Sequence, residues 1–339
     1  MPVSFNKDVS DQFDLTPFQN AKGRLQVLLV LKKTRFEYYQ ENKLKSAVVP
    51  GDDDINDMQA GYDLHIDSIE KVCAILQKNQ VDYLKCSRGT LKTSLIQKRI
   101  VITIGGDGTL LDAAHDIQEN PLLGVNSDPV RSVGSLCLAT SETFEILFNQ
   151  LLSGQLPVKK VMRIIGYLND QELPIKALNE VLIAHENPAA MSRYTISVGG
   201  KKEFQKSSGI WVAAPVGSSG AIVSAGGEVQ SINDLRMQVV VREPYFSQEM
   251  APSLLFGFVG EKNKVTITSQ MQDGCIYFDG PVKKIPFILG SRLDLKVCDQ
   301  KLHLFVTEDM EERRQQIGRF RENYHRQIAV FRYRNMFEF

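Results

Sequence analysis

The sequence has no excess of charge of either sign: 40 Lys and Arg balance 40 Asp and Glu over 339 residues. Nothing global therefore draws the chain to nucleic acid or to an anionic membrane, and any recognition of phosphate has to be local. No apolar run reaches membrane-spanning length. The opening MPVSFNKDVSDQFD lacks the basic-then-apolar layout of a secretory signal. The five cysteines (Cys73, Cys86, Cys137, Cys275 and Cys298) are odd in number and hold no C-x-x-C. That excludes a disulfide framework and a cysteine zinc site, and reads as the reduced thiols of a cytoplasmic protein. The five histidines show no metal-ligand spacing, and there is no internal repeat or low-complexity tract. Two common nucleotide-binding signatures are also missing. In place of a G-x-G-x-x-G motif, Gly106-x-Gly108 is followed by Leu111 where the third glycine would stand. No G-x-x-x-x-G-K-[ST] occurs.

What is present is an ordinary globular composition, 43% hydrophobic and 24% charged. The length suffices for two domains with cores of their own. From residue 24 strand-like and helix-like patterns alternate. RLQVLLVL, VDYLKCS, RIVITI and PLLGVNS read as strands. LHIDSIEKVCAILQKN, TLLDAAHDI and SETFEILFNQLLSG read as helices, and the acidic DDDINDMQAGY reads as a polar loop. This alternation predicts an α/β domain with a doubly wound parallel sheet over 1–155. After it come short β-like runs separated by turns, among them MRIIGYLN, IKALNEVLIA, SRYTISVGG, GIWVAAP, VTITS, CIYFDG, LDLKVC and KLHLFV. They predict an all-β domain over 156–306. Residues 307–339 read as a helical tail with Ile317, Phe320, Tyr324, Ile328 and Phe331 at helical spacing, a packing or assembly stripe.

Three stretches carry chemistry. RIVITI runs into Gly105-Gly106-Asp107-Gly108-Thr109 and then a helix. Glycines after a buried strand let a ligand approach the backbone, and the helix start favours an anion. A carboxylate there is repelled by phosphate unless it has a task. Asp107 could take a proton from an attacking hydroxyl, hold Mg²⁺, or cap the helix. In ALNEVLIAH the polar pair Asn179-Glu180 interrupts an apolar strand. A core hydrogen bond could satisfy the pair, or it could read ribose hydroxyls and base edges. The third is a glycine and serine loop, Gly217-Ser218-Ser219-Gly220 through Ser224-Ala225-Gly226-Gly227. It can wrap a phosphate or ribose, although alone it would be read as a turn.

In this order the three stretches resemble the NAD kinase family. GVNSDPVRSVGSLCLAT, NPAAMSRY and VVVREP look like its plant NADH-kinase-type branch, and the likeness spans residues 24–306. The resemblance implies a two-domain fold with the site between the domains. It implies transfer of the γ-phosphoryl group of ATP to the adenosine-ribose 2′-hydroxyl of NAD(H), with a divalent metal, Mg²⁺. Its implied proton acceptor is Asp107. Its implied nucleotide contacts are Gly105, Gly106, Gly108, Thr109, Asn179, Glu180, Ala190, Lys206, Ser208, Ser219, Gly220, Ala221 and Ser224. NAD(H) and ATP are the implied partners, in a homo-oligomer (dimer or tetramer) without nucleic acid or membrane. Three positions depart from the common family pattern. Ser219-Gly220-Ala221 replaces T-A-Y, Ser208 stands where an Asp is common, and Pro281 replaces a glutamine. The loss of the Asp charge implies that NADH is used at least as well as NAD⁺. Two rivals remain: a lipid-type kinase with the same GGDG loop, and a non-catalytic NAD(H) sensor on this fold.

Overall fold

The computed structural model describes residues 13–42, 51–248 and 251–334, with side chains to residue 327 in the last stretch. Most of the opening segment read above, and the side chains of Ile328 and Phe331, lie outside the described residues. The chain forms two compact units. The first comprises Met1–Leu110, Asn120–Lys159 and His303–Thr307; the second comprises Leu111–Glu119, Lys160–Leu302 and Glu308–Phe339.

The first unit holds the α/β layer. Its strands are β1 (Gln26–Leu31), β2 (Asp82–Ser87), β3 (Ile100–Gly105), β4 (Leu122–Asn126), β5 (Ala139–Thr140) and β6 (Val158–Val161). Strand order is β2-β1-β3-β4, followed by the strand Leu302–Phe305 and β6, with β5 beside β4. The β1–β2, β1–β3 and β3–β4 pairs are parallel. All six residues of β3 are buried, as a covered parallel strand requires. Helices α1 (Arg35–Asn42), α2 (Asp52–Lys78), α3 (Thr93–Ile96), α4 (Asp107–Asp116) and α5 (Phe144–Leu152) follow in the chain. Val72 and Leu76 of α2 and Phe144 and Phe148 of α5 pack with Leu29 and Ile102 in one core. After α5, Gly154 adopts φ +70°.

Two segments depart from the sequence reading here. DDDINDMQAGY is helix, not loop, and opens α2. Asp52, Asp53 and Asp54 fill its first turn, where carboxylates favour the positive end of the helix dipole. Arg131 Nε donates to Asp57 Oδ1 at 2.8 Å and ties the helix down. The LHLF run belongs to the parallel sheet, with Leu304 aligned to Leu122. A strand of four residues is too short for its pattern to say which sheet it joins.

The second unit is a β-sandwich. Its strands are β7 (Ile164–Leu168), β8 (Gln171–Ala177), β9 (Glu180–His185), β10 (Ser192–Val198), β11 (Lys201–Ser207), β12 (Ile210–Ala213), β13 (Met237–Val241), β14 (Phe256–Val259), β15 (Val265–Ser269), β16 (Gly274–Phe278), β17 (Lys283–Pro286) and β18 (Arg292–Val297). They form two antiparallel sheets, β11-β10-β15-β18-β7-β8 and β14-β13-β12-β9-β16-β17. Inward residues of both, including Ile164, Tyr194, Ile267, Val181, Val212 and Phe278, share one core. A 3₁₀ turn at Val216–Ser219 leads into the short α6 (Ala221–Ser224), and α7 (Glu308–Arg334) closes the chain.

Two residues of the apolar stripe on helix α7 face solvent. Phe320 is 72% and Tyr324 58% exposed. Its buried positions are Met310, Glu311, Arg314 and Gly318. Among the described residues no helix is long and apolar enough to cross a membrane.

Candidate active site

In the first unit the glycine loop leaves β3 at the point where the strand order changes direction, between β1 and β3. Ligands of open parallel sheets sit outside the strand ends at such a point. A side chain at Gly105 cannot be accommodated: a Cβ there would lie 2.4 Å from Thr109 Oγ1 and 2.9 Å from Lys32 Cβ. Asp107 is the first residue of α4. Its carboxylate is turned toward a neighbouring segment. Ser135 N–H donates to Oδ2 at 3.0 Å and Leu136 N–H donates to Oδ1 at 2.8 Å. Cys137 Sγ lies 3.9 Å from Oδ1. Two backbone donors fix the carboxylate at the start of α4, directly after Gly105-Gly106.

Two cations flank this loop. Lys32 follows β1, and its N–H donates to Ile104 O at 3.0 Å. Burial pushes its ammonium below the usual lysine range, partly offset by the charge of Asp128. Arg88 follows β2, and a Cβ at the exposed Gly108 would lie 3.5 Å from its Nη1. A lysine beside a glycine loop and an arginine against its rim supply the positive charge that a polyphosphate needs. Sequence reading missed both, because neither belongs to a local motif.

The second unit assembles the other two motifs. The chain turns at Leu178-Asn179, between the end of β8 and the start of β9. Gly217 packs against this turn so closely that a Cβ would lie 2.1 Å from Asn179 O. Ala214 N–H donates to the same oxygen at 2.8 Å. A Cβ on Gly220 would lie 3.6 Å from Asn179 Nδ2 and 3.7 Å from Glu180 Oε2. Asn179, Glu180, Gly217 and Gly220, far apart in sequence, thus share one place. Ala221 and Ser224 are on the exposed side of the second loop. Ala190 lies in the β9–β10 turn, and Lys206 and Ser208 lie at the end of β11. Ala190 precedes and Ser208 follows the β10–β11 hairpin, which itself carries Lys206. The Lys206 ammonium stands 5.7 Å from the Tyr245 ring centre.

A residue the sequence reading did not assign holds the Asn179-Glu180 turn. Asp279 follows β16 at φ +49°, a left-handed conformation Asp tolerates better than most residues. Its side chain is fully buried. Oδ1 accepts from Asn179 N–H at 2.7 Å and Glu180 N–H at 2.9 Å. Oδ2 accepts from Leu178 N–H at 2.8 Å and His115 Nε2 at 2.9 Å. In return Asp279 N–H donates to Glu180 O at 3.0 Å.

Glu180 itself is buried, and its Oε2 has no partner. Among the described residues nothing pairs with this oxygen, which makes Glu180 a candidate ligand position beside the glycine loop. Burial, and then the Asp279 charge, push its carboxyl up to about 8. The neutral carboxyl therefore contributes stability that is fully present below about pH 4.5 and is lost as pH rises through about 8. Glu180→Gln, neutral at every pH, is expected to raise Tm over wild type by a margin that grows between pH 5 and 8.5. At the upper end the gain is about 2–4 kcal/mol. Thermal unfolding of the ligand-free protein across that range checks it; a margin independent of pH contradicts it.

The wider comparisons agree with this geometry. Residues 25–155 match the ATP-NAD kinase N-terminal domain family. A relative from Oryza sativa subsp. japonica named "Probable NADH kinase" is 34% identical over 239 residues, covering 64% of this chain and 74% of its own. An NADH kinase of Arabidopsis thaliana is 30% identical over 279 residues, covering 74% of this chain and 86% of its own. Among solved structures, an NAD kinase from Archaeoglobus fulgidus in complex with ATP gives a TM-score of 0.63 at 18% identity, covering 86% of this chain and 98% of that one. Yeast NADH kinase complexed with NADH gives 0.61 at 16% identity, covering 86% and 87%. The structural likenesses show the fold, the two plant relatives carry the ancestry, and the chain belongs to the NAD kinase family.

Proposed function

We propose that this kinase transfers the γ-phosphoryl group of ATP to the adenosine-ribose 2′-hydroxyl of NAD(H), giving NADP(H) and ADP. The observation that carries the reading is Asp107, its carboxylate anchored by the Ser135 and Leu136 amides directly after Gly105-Gly106. Asp107 takes the hydroxyl proton as the ribose oxygen forms its bond to the γ-phosphorus. The bond from that phosphorus to the bridging oxygen breaks, and ADP leaves. Lys32 and Arg88 offset phosphate charge. Asn179 and the orphaned Glu180 oxygen hold ribose hydroxyls, with the Gly217–Gly220 loop beside them. The family names of the plant relatives point the same way.

The divalent cation of this reading is Mg²⁺. Among the described residues no three His, Cys, Asp or Glu side chains group as a metal site. The ion enters with the nucleotide, as its ATP complex. A reducing, cytoplasmic setting fits five cysteines, none of them in a disulfide among the described residues and four of them buried. A homo-oligomer, dimer or tetramer, fits the exposed stacked pair Phe320 and Tyr324, ring centres 6.3 Å apart. The direct test is NADP(H) formation from ATP, Mg²⁺ and NADH or NAD⁺, with ADP in equal amount. Binding of NAD(H) without turnover overturns the reading.

NADH is expected to serve at least as well as NAD⁺. Ser208 is neutral, and its N–H donates to Arg242 O at 3.0 Å. An Asp at this position would attract the positive oxidised nicotinamide. Unit charges at about 4 Å interact by roughly 1 kcal/mol in water and about 4 kcal/mol near a protein surface. Ser208→Asp is therefore expected to shift the ratio of kcat/KM values toward NAD⁺, by about tenfold. Steady-state kinetics with both dinucleotides checks it; an unmoved ratio places selectivity elsewhere.

A further inference from the structure

The C-terminal helix meets the second loop through buried arginine, and that contact is not what a solvated or assembly helix requires. Arg314 is fully buried. Its Nη1 donates to Pro215 O at 3.2 Å, Val216 O at 3.3 Å and Ser219 Oγ at 3.3 Å. Its Nη2 donates to Gln230 O at 2.5 Å and to Glu311 Oε1 at 3.1 Å, and its Nε to Glu311 Oε2 at 2.8 Å. Glu311 in turn accepts from Ile232 N–H at 2.9 Å. One turn further along α7, a Cβ on Gly318 would lie 3.0 Å from Ser219 Cβ. One turn beyond that, Arg321 Nη1 donates to Ser219 O at 2.8 Å.

The carbonyls of a 3₁₀ turn that has no following strand need donors when they are buried. A guanidinium offers five in a fixed plane, and here it spans the turn from Pro215 to Ser219. Gly217 of the same turn is packed on Asn179, and Gly220 stands beside Glu180. A displacement of the turn is therefore transmitted to the polar pair with no slack.

We propose that α7 is the back-plate of the dinucleotide-binding loop, with Arg314 and Arg321 as positioning residues that set affinity for NAD(H) and leave affinity for ATP alone. This rests on the reading of the Gly217–Gly220 loop as a dinucleotide site. It gives the C-terminal segment a role inside its own chain. Phe320 and Tyr324 of the apolar stripe remain exposed.

The test is steady-state kinetics on the full-length chain, with NADH varied at saturating MgATP and then the reverse. Arg321→Ala removes one bond to Ser219 O and is expected to raise KM for NADH about three- to tenfold, with KM for ATP and kcat within about twofold. Arg314→Lys keeps the charge and loses the fork, and is expected to raise the same KM about tenfold or more. Should Arg314→Lys fail to fold, Arg321→Ala decides, with Arg321→Lys as the variant that restores the contact. Ala221→Glu, on the exposed side of the loop, tests the underlying reading by placing a negative charge against a pyrophosphate-bearing ligand. A rise in NADH KM for Ala221→Glu without one for the arginine variants overturns the back-plate and leaves the loop assignment standing. No change for Ala221→Glu overturns both. Equal losses for NADH and ATP with a lowered Tm would make the contact structural only and would also overturn the proposal.

Discussion

Asp107→Asn is expected to lower kcat by about 10²–10⁴-fold, the usual worth of a positioned proton acceptor. The argument is geometric before it is electrostatic. Ser135 and Leu136 amides hold the two carboxylate oxygens from one side. The carboxylate is thereby held in one orientation directly after Gly105-Gly106. Asparagine keeps one oxygen for one of these amides and opposes the other with an N–H donor, at a cost of about 1–3 kcal/mol in stability. The fold survives such a loss, so binding remains measurable. Calorimetric titration is expected to give NADH and ATP dissociation constants within a few-fold of wild type beside the collapsed kcat. A variant with wild-type kcat removes Asp107 from the proton-transfer role. A variant that binds neither nucleotide makes the carboxylate an architectural group of the loop.

The parts of this site that were legible in the sequence are those whose oddity is local. A carboxylate between glycines at a strand end is out of place wherever it occurs, and so is an Asn-Glu pair in an apolar run. The structure puts Glu180 where that oddity implies, buried with an orphaned oxygen. The alternation of strands and helices gave the parallel sheet, and the turn-separated β runs gave the sandwich. Asp279 carries no signal of its own in the sequence, since an Asp-Gly dipeptide reads as any turn; its partners are 99 to 164 residues away. Arg314 was invisible for a different reason. Charged residues at helical spacing look like a solvated face, and only the carbonyls of a distant turn make burial of a guanidinium favourable. The apolar periodicity of the same helix marks the exposed face of Phe320 and Tyr324, while the contact with the loop lies on another face. The acidic start of α2 misled similarly. Consecutive Asp residues read as loop by polarity, yet they are well placed in a first helical turn.

Asp279→Ala is expected to cost about 3–5 kcal/mol, the scale on which a buried charge partner is removed. Three backbone donors and a histidine would lose their common acceptor, which is itself fully buried. Asp279→Asn separates the two halves of that role. Its oxygen can still accept from the Asn179 and Glu180 amides, which both use Oδ1. Its amide nitrogen then faces the Leu178 N–H and His115, which use Oδ2. The expected loss is about 1–3 kcal/mol. The substitution also removes the negative charge that, after burial, pushes the Glu180 carboxyl up. With that charge gone Glu180 ionises at lower pH, so the loss of stability on raising pH is smaller than in wild type. Because the peptide it holds is the one that carries Asn179 and Glu180, KM for NADH is expected to rise about tenfold, with KM for ATP unchanged. Thermal unfolding from pH 5 to 9 and two-substrate kinetics at one pH read these effects separately. Wild-type Tm with a wild-type pH profile would mean that the turn is held by its own strands. A lowered Tm with an unchanged NADH KM would mean that the clamp serves the fold and not the ligand.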